Sequence, residues 1–172
     1  MFDNMYAKRL KAYKQIGYEL ACGLQIGKQT VNAIYDWDNY STYYHKDLLG
    51  ANNNIIISSP VISGPKVYEL INLLKEKQMS GVQITIVTWA PDSYRFGDAA
   101  YWMQLHEDMR QAGFYIKTVE ESCERFAVID QEVVWYGNIN LLAKDKVDDS
   151  IMRILSKEIA SELMEITIGD NG

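Results

Sequence analysis

Cys123, Arg125, Asp130, Asn138 and Asn140 are the residues whose types and spacing suit the handling of a phosphate. They fall in two short apolar segments, Cys123-Glu-Arg-Phe-Ala-Val-Ile-Asp130 and Val133-Val-Trp-Tyr-Gly-Asn-Ile-Asn140, which read as adjacent strands joined by a tight turn. Alternate residues of a strand share a face, so Cys123 and Arg125 are expected on one side and Phe126 and Val128 on the other, as core. Asp130 is expected where the first strand turns. Gly137 removes a side chain near the strand end, which suits close backbone approach by a ligand. Asn138 and Asn140 then offer amide donors and acceptors from a following loop. One guanidinium, two amides and exposed backbone N–H groups make a pocket for an oxyanion or a phosphate. The plainer alternative is a small buried thiol at Cys123 and turn-forming residues at Asp130, Asn138 and Asn140.

Three other strings promise chemistry and do not deliver it. Gly23-Leu-Gln-Ile-Gly27-Lys28-Gln29 has three residues between its glycines, where a phosphate-binding loop of the Walker type needs four. It also lacks the Ser or Thr after the lysine. His45-Lys46-Asp47 and His106-Glu107-Asp108 are contiguous on expected helices, so their side chains diverge and cannot converge on one phosphate. His45 reads as a surface residue and His106 as a helix-face or partly buried one. Tyr40, Tyr43 and Tyr44 could stack on bases if exposed, but tyrosines clustered on a helix more often pack.

The elements that must position the pocket follow from apolar periodicity. Residues 5–24 carry Tyr6, Leu10, Tyr13, Gly17, Leu20 and Leu24 on one helical stripe. Strands are expected at 31–35, 54–59, 82–89, 114–118, 133–136 and 150–155, besides the Cys123 segment. Helices are expected from Asp36 or Asp38 (as cap) to Leu49, over 64–78, over 98–112 with Met103, Leu105, His106 and Met109 inward, and over 157–164. Helices alternating with strands, then clustered strands, predict an α/β fold whose mixed sheet is flanked by helices on both faces.

The chain of 172 residues suits one globular unit, with a minor boundary near residue 30 that divides a basic amphipathic helix (1–30) from the α/β body (31–172). Residues 1–30 hold five basic against two acidic side chains, +3, so the remainder of the −6 chain carries −9. An acidic body argues against strong unaided binding to a polyanion. No apolar run approaches a membrane span, and the N-terminus lacks the apolar core of a secretion signal, so a cytoplasmic address without membrane attachment is expected. Cys22 and Cys123 are too far apart for a metal knuckle and neither histidine is spaced to join them, so no metal or cofactor is expected.

The pair of segments resembles the phospholipase D superfamily, whose hallmark is H-x-K-x4-D followed by G-S-x-N. The matching positions are Cys123-x-Arg125-x4-Asp130 and Gly137-Asn138-x-Asn140, and the resemblance runs over about residues 31–166. It is similar in detail to the phospholipase D-like domains at the C-terminus of bacterial DNA helicases, including the Trp135-Tyr-Gly137 turn and the Lys157-Glu-Ile-Ala160 helix. The resemblance implies an α-β-α sandwich and a metal-independent phosphodiesterase site, with Cys123, Arg125 and Asp130 in the catalytic positions and Arg125, Asn138 and Asn140 on phosphate. The Asp of the motif supports either the fold or proton handling. A single motif copy implies a symmetric homodimer with a shared site. Here the nucleophilic histidine is a cysteine, a poor acid for the leaving group, and the lysine is an arginine. The reading is therefore a degenerate module that binds nucleic acid or another phosphate-containing ligand, with DNA and a helicase polypeptide as candidate partners. The alternatives are a phosphodiesterase or nuclease using Cys123, and a dimerisation scaffold.

Overall fold

The computed structural model describes residues 19–20, 32–94, 97–144 and 149–169. In chain order the elements are β1 (Glu19–Leu20), β2 (Ala33–Asp36), α1 (Tyr40–Leu49), β3 (Asn54–Ser58), α2 (Gly64–Met79), β4 (Gln83–Trp89), a 3-10 turn (Pro91–Ser93), α3 (Ala99–Gln111), β5 (Tyr115–Val119), β6 (Phe126–Ile129), β7 (Val133–Gly137), β8 (Ser150–Leu155) and α4 (Lys157–Ile168). One mixed sheet runs β1-β2-β8-β7-β6-β3-β4-β5. The β3–β4–β5 side is parallel, while β3, β6, β7, β8 and β2 pair antiparallel in turn.

Ile55, Ile56 and Ile57 of β3 are all buried, which a strand achieves only where both faces of its sheet are covered. Ile55, Ile57, Ile84, Ile86, Ala127, Ile129 and Trp135 face the larger core, closed by Tyr44 and Leu48 of α1, Val67, Leu70 and Leu74 of α2, and Leu105 and Met109 of α3. Ile56, Val87, Phe126, Val128 and Val134 alternate to the other face, under Ala160 and Leu163 of α4. The expected helix-covered mixed sheet is therefore what forms. No helix among the described residues is long and apolar enough to cross a membrane.

Local departures have local causes. The helix expected over 5–24 lies mostly outside the described residues, but Glu19–Leu20 is a strand paired parallel to β2. Asp36 does not cap α1: its Oδ1 accepts from the backbone N–H of Asp38 (3.0 Å) and Asn39 (3.1 Å), closing the turn before the helix. Tyr40 and Tyr44 are core residues, packed with Trp37, Tyr35 and Trp135, and are not available to stack on a ligand. Met103 points outward, whereas Leu105, His106 and Met109 are buried. Residues 122–125 lie outside the ladder, so the Cys123 segment becomes a strand only at Phe126.

Candidate functional site

Because β3 and β7 end where β6 and β8 begin, one edge of the sheet gathers Ser58, Cys123–Arg125, Gly137–Asn140 and Ser150. Arg125 enters this edge half-buried, and its Nε donates to Oδ1 of Asn140 at 3.0 Å. Asn140 is only 5% exposed, so the amide is a fixed acceptor that orients the guanidinium. Among the described residues nothing else accepts from Arg125, which leaves the amino end of its fork for an anion. Asn138 is exposed beside it, with its backbone N–H on the Ser150 carbonyl at 3.2 Å.

Gly137 serves a neighbouring strand and not a ligand. A Cβ there would fall inside contact distance of the Ser150 carbonyl oxygen and the Ile151 Cα. The absent side chain lets β8 close against β7, which fixes the start of the 138–143 loop.

Cys123 does not share a face with Arg125. Its Sγ lies 3.4 Å from the Ser58 hydroxyl and 3.9 Å from the Val87 carbonyl, and it packs against the smaller core that contains Phe126 and Val128. The expected alternation fails because it presumed a strand through residues that are not in one. Ser58 donates its own proton to the Glu124 carbonyl at 2.6 Å, so toward Cys123 it is an acceptor. Burial pushes the Cys123 thiol above its usual range and Glu124 adds to this, while Ser58 and Arg125 pull the other way. The group rests as a neutral thiol at neutral pH, the wrong form for attack on phosphorus. Tyr136 closes the rim, donating to Oε2 of Glu124 at 3.0 Å.

Asp130 sits elsewhere. It lies at the far end of β6, five residues and roughly 16 Å from Arg125 along the strand. Its Oδ1 accepts from the N–H groups of Asn52 (3.1 Å), Asn53 (2.7 Å) and Asn54 (3.2 Å). The structure thus brings Cys123, Arg125, Asn138 and Asn140 to one edge and leaves Asp130 to hold the α1–β3 connection. Ser58 joins the site unannounced. A serine directly after the buried run Ile55-Ile-Ile57 was the available signal.

No cluster of three or more His, Cys, Asp or Glu side chains among the described residues is arranged to hold a metal. Neither histidine bonds to the site. His45 reaches Glu69 from α1 at 3.5 Å, and His106 is 1% exposed with both ring nitrogens unpartnered. Burial, then Arg110, lowers the His106 pKa below the ordinary value of 6.5. A group depressed in the folded state stabilises fully above the unfolded pKa and loses that contribution as pH falls. Unfolding free energy is therefore expected to decline below pH 6.5, by at most about 1.4 kcal/mol per pH unit for one proton. His106→Leu flattens that limb in urea titrations at several pH values. His45, whose burial also lowers its pKa, stays in both proteins and cancels in the comparison.

Residues 44–168 match a family described as the phospholipase D-like domain of cardiolipin synthase. The chain belongs to this phospholipase D-like family. No curated protein matches its sequence. Among solved structures, the phospholipase D family member Nuc from Salmonella typhimurium is similar at a TM-score of 0.61 and 14% identity, over 78% of this chain and 91% of that one. NucT from Helicobacter pylori is similar at 0.60 and 10% identity, over 79% and 92%. The archaeal chromatin protein TrmBL2, whose structure concerns a mode of DNA binding, is similar at 0.55 and 10% identity, over 96% of this chain and 59% of that one. At these identities the likeness is one of fold. In this phospholipase D-like domain the half-buried thiol of Cys123 lies at the same end of the sheet as Arg125, Asn138 and Asn140.

Proposed function

We propose that this phospholipase D-like domain is a degenerate one, which holds a phosphate-containing ligand without cleaving it. The observation that carries the reading is the contrast within three residues. Arg125 is oriented by the buried Asn140 amide with its fork open, whereas Cys123 is a half-buried, neutral thiol tied to Ser58. Binding machinery persists while the nucleophile and the leaving-group acid of the family are both gone. Nucleic acid is the proposed ligand, supported by the likeness to a DNA-binding chromatin protein and by the resemblance to helicase-appended domains. The module would act as a homodimer, alongside a helicase-type polypeptide.

The test is fluorescence anisotropy with labelled single- and double-stranded DNA in excess chelator. Binding is expected at low salt, weakening as salt rises. Arg125→Ala is expected to weaken it roughly tenfold, the size of one charge-assisted hydrogen bond. No affinity at low salt sinks the binding reading. Cleavage by the wild type that disappears in Cys123→Ala instead establishes a cysteine phosphodiesterase.

A further inference from the structure

We infer that Tyr101, with Tyr68 beside it, forms a stacking platform for the bases of a single-stranded nucleic acid whose backbone phosphate lies at Arg125. The inference rests on the phosphate-binding reading above and narrows its ligand. Tyr101 and Tyr68 expose 46% and 45% of their surface, yet each hydroxyl is tied down. The Tyr101 oxygen accepts from the Gly64 backbone N–H at 3.0 Å, and the Tyr68 hydroxyl donates to Oδ2 of Asp108 at 2.6 Å. Each side chain is held by its tip and shows its ring. Holding a ring this way removes most of the entropy cost of ordering it on a ligand.

The two rings adjoin one another. A Cβ on Gly64 would meet the Tyr101 hydroxyl first and Tyr68 Cε2 at 3.7 Å. Behind Tyr101, Trp102 packs edge-on at 5.0 Å and Tyr94 stacks on Trp102 at 4.4 Å with 16° between planes, so the platform has a rigid backing. The indole N–H of Trp102 and the hydroxyl of Ser63 are buried without partners. Both atoms are shut off from solvent, as part of that backing.

Bonded contacts join the platform to the phosphate pocket by two routes. In one, Arg125 bonds Asn140, whose loop continues to Leu142. The Leu142 carbonyl accepts from Ser63 N–H at 2.7 Å, and the next residue, Gly64, donates to Tyr101. In the other, Cys123 meets the Val87 carbonyl, and the following Thr88 hydroxyl lies 3.2 Å from the Tyr94 hydroxyl. Pocket and platform are therefore linked through hydrogen-bonded contacts. The chain carries −6, so phosphate attraction alone is weak, and stacking must supply the remaining affinity. Base faces are hidden in a duplex, which makes the ligand single-stranded.

The experiment compares labelled oligothymidylate, an abasic chain of the same length and a duplex by anisotropy at low salt. The wild type is expected to bind oligothymidylate roughly tenfold tighter than the abasic chain. Tyr101→Ala is expected to abolish that ratio, while Tyr101→Phe, which keeps the ring, preserves it. Tyr68→Ala reduces it by a smaller factor. Equal binding of oligothymidylate and abasic chain, or preference for duplex, overturns the platform and leaves the phosphate reading intact if Arg125→Ala still weakens both. No binding to any of the three overturns platform and phosphate reading together. An unchanged ratio in a folded Tyr101→Ala protein overturns the assignment of the ring.

Discussion

Replacing Asp47 with alanine is expected to lower the unfolding free energy by about 3–5 kcal/mol, a large share of the roughly 5–15 kcal/mol that holds a domain together. Oδ2 of this one carboxylate accepts from Trp135 Nε1 at 2.8 Å and from Arg153 Nε at 2.6 Å, and Oδ1 accepts from Arg153 Nη2 at 3.0 Å. The ion pair is 13% and 16% exposed, so its charges are largely out of water. It joins α1 to β7 and β8 across the sheet and seats Trp135, which is buried against Tyr35 and Tyr44. Removing the carboxylate takes the acceptor from the Trp135 indole N–H and breaks the largely buried ion pair of Arg153. Urea denaturation at neutral pH measures the loss. Asp47→Leu combined with Arg153→Met is expected to cost less than Asp47→Ala alone, because the apolar pair needs no compensation. A loss below about 1 kcal/mol in Asp47→Ala would place the pair with ordinary surface bridges and refute its structural role.

Asp47 also shows where sequence stops being legible. Within His45-Lys46-Asp47 it has no distinguishing neighbour, and its partner Arg153 is 106 residues away. Apolar runs betrayed β3 and β4 because burial on both faces demands β-branched residues at successive positions. The hairpin of β6 and β7 was legible for the same reason, as was the loop that carries Asn138 and Asn140. The approach of Cys123 was not. Its direction depends on Ser58 and the Glu124 carbonyl, contacts made only after β3 and β6 are paired. Gly137 was singled out correctly but for the wrong occupant, since a glycine in sequence does not say which backbone will come close. A two-residue strand at Glu19–Leu20 has no period to read, and it displaced part of a convincing helical stripe.

Asp130→Ala is expected to cost about 3 kcal/mol of stability while leaving ligand affinity of the folded protein within about twofold of wild type. The carboxylate collects three successive backbone N–H groups from the α1–β3 connection, and Asp130 N–H returns a bond to the Asn54 carbonyl at 2.9 Å. Asp130 and Gln131 also sit at φ 52° and 57°, the left-handed pair at the centre of the turn closed by Glu132 N–H on the Ile129 carbonyl, and a conformation Asp tolerates better than Ala. Alanine therefore loses the acceptor and gains backbone strain at one position. Asparagine keeps the conformation and one acceptor oxygen, so Asp130→Asn is expected to cost only about 1 kcal/mol. The contrast with Arg125→Ala separates the two ends of β6, because that variant loses affinity. Urea titrations and anisotropy on the same preparations read both quantities. An affinity loss in fully folded Asp130→Ala that equals the loss in Arg125→Ala would return Asp130 to the site. Unchanged affinity makes the last residue of the motif a clasp for the strand that delivers Ser58, five residues along the chain from the arginine that meets the phosphate.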